Sequence, residues 1–162
     1  MIFASDMQGG FGGLDLWISK FDKKAKEWGT PVNLGPTINT QGDELYPSIH
    51  ENGALYFSSN GHLGMGGLDL FKADNKGEGK YDNVTNLKYP LNSAGDDFAI
   101  IFEGKREDKG YFTSNRLGGK GGDDIYAFSL PPVLFTLSGV CVEKESRKPI
   151  ENATITLIGS DG

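Results

Sequence analysis

Tyr56-Phe57-Ser58-Ser59-Asn60, a glycine-rich loop from Gly61 to Gly67, and then Leu68-Asp69-Leu70-Phe71 form a motif that the chain contains three times. The first copy reads Phe3-Ala4-Ser5-Asp6, a loop through Gly9-Gly10-Phe11-Gly12-Gly13, and Leu14-Asp15-Leu16-Trp17. The third reads Tyr111-Phe112-Thr113-Ser114-Asn115, a loop ending at Gly122, and Asp123-Asp124-Ile125-Tyr126. Asp15, Asp69 and Asp124 therefore recur about every 54 residues, a period of the kind found in solenoids, propellers and arrays. A second marker keeps the same phase. Asn33-Leu34, Ile38-Asn39 and Gly42-Asp43-Glu44 return 53 residues later, without a gap, as Asn86-Leu87, Leu91-Asn92 and Gly95-Asp96-Asp97. Two markers in phase mean that one structural unit is copied.

Each unit reads as short strands between turns. In the middle copy the strands fall at about Glu44 to His50, Ala54 to Ser59, Leu68 to Asp74 and Tyr81 to Leu87. Turns lie at Glu51-Asn52-Gly53 and Lys76-Gly77-Glu78-Gly79, with the glycine loop between the second and third strands. Ala54-Leu55-Tyr56-Phe57 and Phe98-Ala99-Ile100-Ile101-Phe102 are aromatic and β-branched runs bounded by Gly, Asn and Asp, the pattern of strands covered on both faces. Leu68 and Leu70 share one face of their strand, Asp69 and Phe71 the other. No window shows helical periodicity. A four-stranded unit at this period is a propeller blade, because each small sheet has two apolar faces that neighbouring sheets must cover. The expected fold is all-β: a partial propeller of about three blades, the outer two incomplete. The first copy lacks the leading strand, and the third, reading Phe98 to Phe102, Lys109 to Ser114 and Asp124 to Leu130, lacks the last. Such an open arc leaves edges and apolar faces uncovered, so the fragment is expected to self-associate.

Pro131-Pro132 marks a boundary, since proline removes backbone donors and cannot continue a central strand. Residues 1–131 are expected to form the partial propeller, and 132–162 the beginning of a second domain. Its first two strands are expected at Leu134 to Val142 and Ala153 to Leu157, around a charged turn from Glu143 to Lys148, with Ala153, Ile155 and Leu157 inward.

Composition narrows the function. Of 162 residues, 37% are hydrophobic and 11% aromatic, which suits a packed core and not a disordered chain. The 24 glycines concentrate in the repeated loops as turn chemistry. A net charge of -6 with scattered lysines argues against a nucleic-acid groove, which needs clustered cations to displace counterions. Lys20 to Lys26 reads as a solvated hairpin. Cys141 is the sole cysteine, so neither an intrachain disulfide nor a cysteine metal cluster can form. No stretch approaches the roughly 20 apolar residues that span a bilayer, and Met1 to Asp6 has neither the basic region nor the apolar run of a signal peptide.

These motifs resemble the WD-repeat-like propellers of the Tol-translocation type in large envelope proteins of Bacteroidetes. Leu137-Ser138-Gly139-Val140-Cys141-Val142 with Lys148-Pro149-Ile150-Glu151-Asn152-Ala153-Thr154-Ile155-Thr156-Leu157 is similar to the start of a carboxypeptidase-regulatory-like sandwich. Propeller followed by sandwich resembles the middle of outer-membrane-associated OmpA-family proteins, including the peptidoglycan-anchoring subunit of type IX secretion systems. The resemblance implies a periplasmic, outer-membrane-associated scaffold that binds envelope proteins, with no cofactor. The chain departs from it at Asp123, where the other copies have leucine, at Arg147 in place of a turn glycine, and at Cys141 in place of valine. No residue corresponds to the OmpA-like module, so peptidoglycan anchoring is assigned to none.

Asp15, Asp69 and Asp124 are the obvious candidates for chemistry, yet a catalytic group is needed once and a turn-stabilising group in every copy. Their carboxylates are expected to accept hydrogen bonds from amides of the glycine loops, the alternatives being calcium or a ligand rim. Gly13, Gly67 and Gly122, with Asp43 and Asp96, complete the repeated motif. Asp43-Glu44, Asp96-Asp97 and Asp123-Asp124 supply hard oxygens, but no segment matches a calcium loop. Asp74-Asn75-Lys76-Gly77-Glu78 puts a lysine at a ligand position. There is no Gly-x-Ser-x-Gly elbow. The two histidines, His50 and His62, stand at a strand end and in a glycine loop, and a sialidase-like arginine trio would need Arg106, Arg116 and Arg147 from two domains. Asn83-Val84-Thr85 and Asn152-Ala153-Thr154 match the glycosylation triplet and are given no role. The expectation is a non-catalytic protein-binding scaffold. The alternative is a carbohydrate- or peptidoglycan-binding propeller that uses Trp28 or Tyr89 as stacking platforms; Trp17, in phase with Phe71 and Tyr126, belongs to the core.

Overall fold

The computed structural model describes residues 1–131 and 138–156. The chain divides into two compact units, Met1–Pro131 and Pro132–Gly162. The first unit is all-β, with small antiparallel sheets, none of them closed. Its strands are β1 (Ile2–Ser5), β2 (Asp15–Ile18), β3 (Phe21–Asp22), β4 (Glu27–Trp28), β5 (Val32–Asn33), β6 (Glu44–Ile49), β7 (Leu55–Ser59), β8 (Asp69–Gly77), β9 (Lys80–Asn86), β10 (Asp97–Phe102), β11 (Lys109–Ser114) and β12 (Asp124–Ser129).

The middle repeat is a four-stranded meander, β6-β7-β8-β9, and the first and third are the three-stranded sheets β1-β2-β5 and β10-β11-β12. The small β3-β4 pair continues the β2-β5 hairpin past Ser19, whose hydroxyl donates to the Gly29 carbonyl at 2.7 Å. It carries Lys23, Lys24 and Lys26 on an exposed tip. The copies agree in register: Ala4 opposes Leu16, Ser58 opposes Leu70, and Thr113 opposes Ile125. They also agree in irregularity. A β-bulge lies between Leu45 and Ser48 in β6 and between Phe98 and Ile101 in β10, with Tyr46 at φ 51° and Ala99 at φ 56°. Pro47 sits within the first bulge, where the edge strand β6 owes no ladder bond.

Alternation along β7 and β8 puts the middle sheet between its neighbours. Leu55, Phe57, Phe71 and Ala73 pack with Leu16, Ile38 and Tyr81, while Ala54, Tyr56 and Leu70 pack with Leu91, Ile100 and Phe112. Every residue of β7 is buried. The ring pair Phe57–Phe71, 5.8 Å between centroids, is repeated by Phe112–Tyr126 at 5.7 Å, and Trp17 at the equivalent position of the first sheet is buried.

The second unit departs from the sequence expectation. Its described part holds one antiparallel bridge, Val142 to Pro149, across a turn in which the Glu143 and Ile150 amides donate to Lys148 and Cys141 at 2.9 Å. Ala153 to Thr156 is no strand, and Ala153 and Ile155, expected inward, are exposed. Alternation chooses which residues share a face but provides nothing to cover that face, and two strands make no core of their own. The rest of the expected strand from Leu134, and Leu157, lie outside the described residues.

Candidate functional site

The three repeated aspartates, Asp15, Asp69 and Asp124, open β2, β8 and β12, where the glycine loop returns to the sheet. Asp69 Oδ2 accepts from the Met65 and Gly66 amides at 2.8 and 2.9 Å. Asp15 accepts from the Phe11 and Gly12 amides at 2.6 and 3.2 Å, and Asp124 from the Lys120 and Gly121 amides at 2.7 and 3.0 Å. Donors three and four residues upstream of a carboxylate close the loop as a compact turn. Asp15 also takes the Asn33 side-chain amide at 2.8 Å, whereas the buried Asp69 Oδ1 has no hydrogen-bond partner among the described residues.

The second marker binds one repeat to the next. Asp43 Oδ1 accepts from the Leu14 amide at 2.9 Å and Asp96 Oδ1 from the Leu68 amide at 2.8 Å, each reaching the preceding sheet. Their other oxygens accept from Asn60 and Asn115 at 3.1 and 2.7 Å, on the following sheet. The approach is so close that a Cβ on Gly13 or Gly67 would fall 2.2 Å from the Asp43 or Asp96 oxygen, which is why glycine stands there. The buried Asn39 accepts from the Leu16 amide at 2.8 Å and donates to the Leu16 carbonyl at 3.0 Å. Asn92 does the same at Leu70, also at 2.8 and 3.0 Å. Each asparagine thus stands in for a strand, closing main-chain groups that would otherwise be buried unpaired.

Glu44 and Asp97 are buried beside these clamps. Glu44 accepts from the Thr40 amide at 2.8 Å and the Ser59 hydroxyl at 2.6 Å. Asp97 accepts from the Ser93 hydroxyl at 2.8 Å and Arg116 at 2.6 Å. Arg116 further donates to the Leu91 carbonyl at 2.7 Å, and His62 Nε2 lies 2.8 Å from the Ile38 carbonyl. Arg106 pairs with Asp108, and Arg147 belongs to the second unit. Among the described residues no three His, Cys, Asp or Glu side chains gather as a metal cluster.

One group of ionisable residues has no signature in the sequence. Lys72 donates to both Glu107 oxygens at 2.9 and 2.8 Å, Asn52 donates to Oε1 at 2.7 Å, and His50 Nδ1 lies 3.8 Å from it. Burial first, then the Glu107 carboxylate, pushes the Tyr56 hydroxyl well above the usual tyrosine value. Burial of Glu107 works to raise its own value, yet hydrogen bonds from Lys72, Tyr56 and Asn52 together hold it below the ordinary carboxylate range. His50 is wedged edge-on against Tyr56 and Phe102. The paired carboxylate and the Tyr56 ring brace the second and third sheets. No repeated spacing announces this brace, because it occurs once and joins positions 35 residues apart.

The chain matches no family model, no curated protein and no solved structure in comparisons against each. No helix among the described residues is long and apolar enough to cross a membrane.

Proposed function

We propose that the protein is a non-catalytic scaffold for protein–protein contacts, its three sheets acting as blades of an open propeller arc. The observation that supports this most is the use of the repeated carboxylates. Those of Asp15, Asp69, Asp124, Asp43 and Asp96 accept from main-chain amides, leaving them as parts of the frame and not as acids, bases or metal ligands. A frame whose repeated carboxylates are engaged in this way suits binding through its loops and edges. The proposed setting, an outer-membrane-associated envelope assembly of the type IX secretion kind in the periplasm, comes from the sequence resemblance. Photo-crosslinking from exposed loop positions in cells, with the partner identified as an envelope protein, tests it; turnover by the purified chain on a panel of peptides and glycans would overturn it. Carbohydrate binding is a second reading, favoured by the exposure of Trp28 at 53% and Tyr89 at 77%, and a glycan-array signal abolished by Trp28→Ala would establish it in place of the scaffold.

A further inference from the structure

The first two sheets each carry a seat that the next repeat fills, and in the third sheet no described residue of the first unit fills the same seat. Leu16 and Leu70 are 0% exposed beneath Asn39 and Asn92, whereas Ile125, in the same register, is 77% exposed. Leu16 and Leu70 turn their amides and carbonyls away from the partner strand, and Ile125 by its register turns its own toward the free edge of β12. Gly122 is the second mark. The Cβ position at Gly13 or Gly67 is occupied by an aspartate oxygen of the next repeat, but at Gly122 nothing among the described residues comes within 4 Å. Its φ lies outside the left-handed region, so neither its backbone nor its neighbours require glycine.

We propose that the free edge of β12, with Asp123, Ile125 and the Gly119–Gly122 loop, is a docking site for a polypeptide segment of the pattern Asn-x4-(Ile/Leu)-Asn-x3-Asp. The two filled seats define this occupant. Asn33, Ile38, Asn39 and Asp43 fill one, and Asn86, Leu91, Asn92 and Asp96 the other. In the open seat the second asparagine pairs with the Ile125 amide and carbonyl, the aliphatic residue covers the Ile125 side chain, and the aspartate takes the Asp123 amide over Gly122. Residues 132–162 contain one asparagine, Asn152, and so cannot supply the pattern. A second copy has both of its own segments engaged. The proposal rests on the scaffold reading only for the existence of a protein partner.

The test is titration of the full chain with a synthetic peptide of residues 80–97, followed by amide NMR, in enough salt to screen the Asp123 carboxylate. Saturable shifts centred on Gly122, Asp123 and Ile125, with Leu68 and Leu70 unmoved, are expected. Asn92→Ala or Asp96→Ala in the peptide should weaken binding by about tenfold or more, the result of leaving a buried main-chain group unpaired. In the protein, Gly122→Ala should leave the melting temperature unchanged and abolish binding, since its methyl group occupies the place of the incoming carboxylate. No shift up to millimolar peptide, binding indifferent to Gly122→Ala, or burial of Ile125 by self-association that the peptide does not compete would each overturn the proposal. A crosslinked envelope partner on another surface would leave the scaffold reading standing while this site failed.

Discussion

The second and third sheets are built from the same motif, yet among the described residues the second is covered on both faces and the third on one. Leu70 and Ile125 occupy one position in the motif and differ from full burial to 77% exposure. The difference lies in the chain downstream of each: after β8 come Asn86, Asn92 and Asp96, and after β12 comes Pro131. A repeat of this kind completes its predecessor more than itself, because the groups that close the seat at Leu70 come from the strand, the asparagine and the aspartate that lead into the third sheet.

The comparison breaks most sharply at those two side chains. Leu70→Ala should cost about 2–5 kcal/mol in urea unfolding, the range for truncating a buried aliphatic residue, while Ile125→Ala should stay within about 0.5 kcal/mol, as exposed substitutions do. Equal losses would mean that Ile125 is covered in solution. Next come the loops. Asp69→Ala strands two loop amides, and Gly67→Ala drives a methyl group against Asp96, whose oxygen lies 2.2 Å from the added Cβ. Each should cost about 1–3 kcal/mol by guanidinium denaturation. Asp124→Ala should cost less than Asp69→Ala, since Asp124 is only partly buried where Asp69 is 1% exposed, and water can replace the lost acceptor. A larger loss at Asp124 than at Asp69 would refute the idea that the clamp from the next repeat fixes the loop.

Much of this frame could be read from the residues. The period locates three units, and the turn signals bracket three strands of the middle one to within a residue, while β8 runs to Gly77, three residues past its expected end and into the Lys76-Gly77-Glu78-Gly79 turn. The in-phase spacing picks out Asp43 and Asp96 but not their partners, since a bond from Asp43 back to Leu14 crosses 29 residues and depends on how two sheets stack. Asn39 and Asn92 stand in the sequence only as members of the second marker, and the structure makes them buried substitutes for a strand. The Lys72–Glu107 brace has no repeat to advertise it. Ala153 and Ile155 show the opposite failure, a clear alternation that no strand takes up and that leaves both side chains exposed.

The smallest expected effect concerns that brace, and pH separates its two ionisable ends. Tyr56, whose folded value is raised above its unfolded value of roughly 10, contributes stability that is complete below that pH and fades as pH rises past it. Glu107, held below its unfolded value of roughly 4.3, contributes stability that is present above that pH and is lost as pH falls through the folded value. The urea midpoint should therefore decline on both sides of neutrality. Tyr56→Phe should flatten the alkaline limb, with any remainder owed in part to Tyr81, whose hydroxyl is also raised by burial. Glu107→Gln should flatten the acid limb and also shallow the alkaline one, because the carboxylate is part of what raises Tyr56. Roughly 1 M salt should reduce the Glu107 contribution, since its side chain is 33% exposed and its pairing is screened, and should leave the Tyr56 limb, which rests first on burial, nearly intact. An acid limb unchanged in Glu107→Gln would show that the second and third sheets are held together by Tyr56, Leu70 and Phe112 packing alone, with the ion pair a bystander.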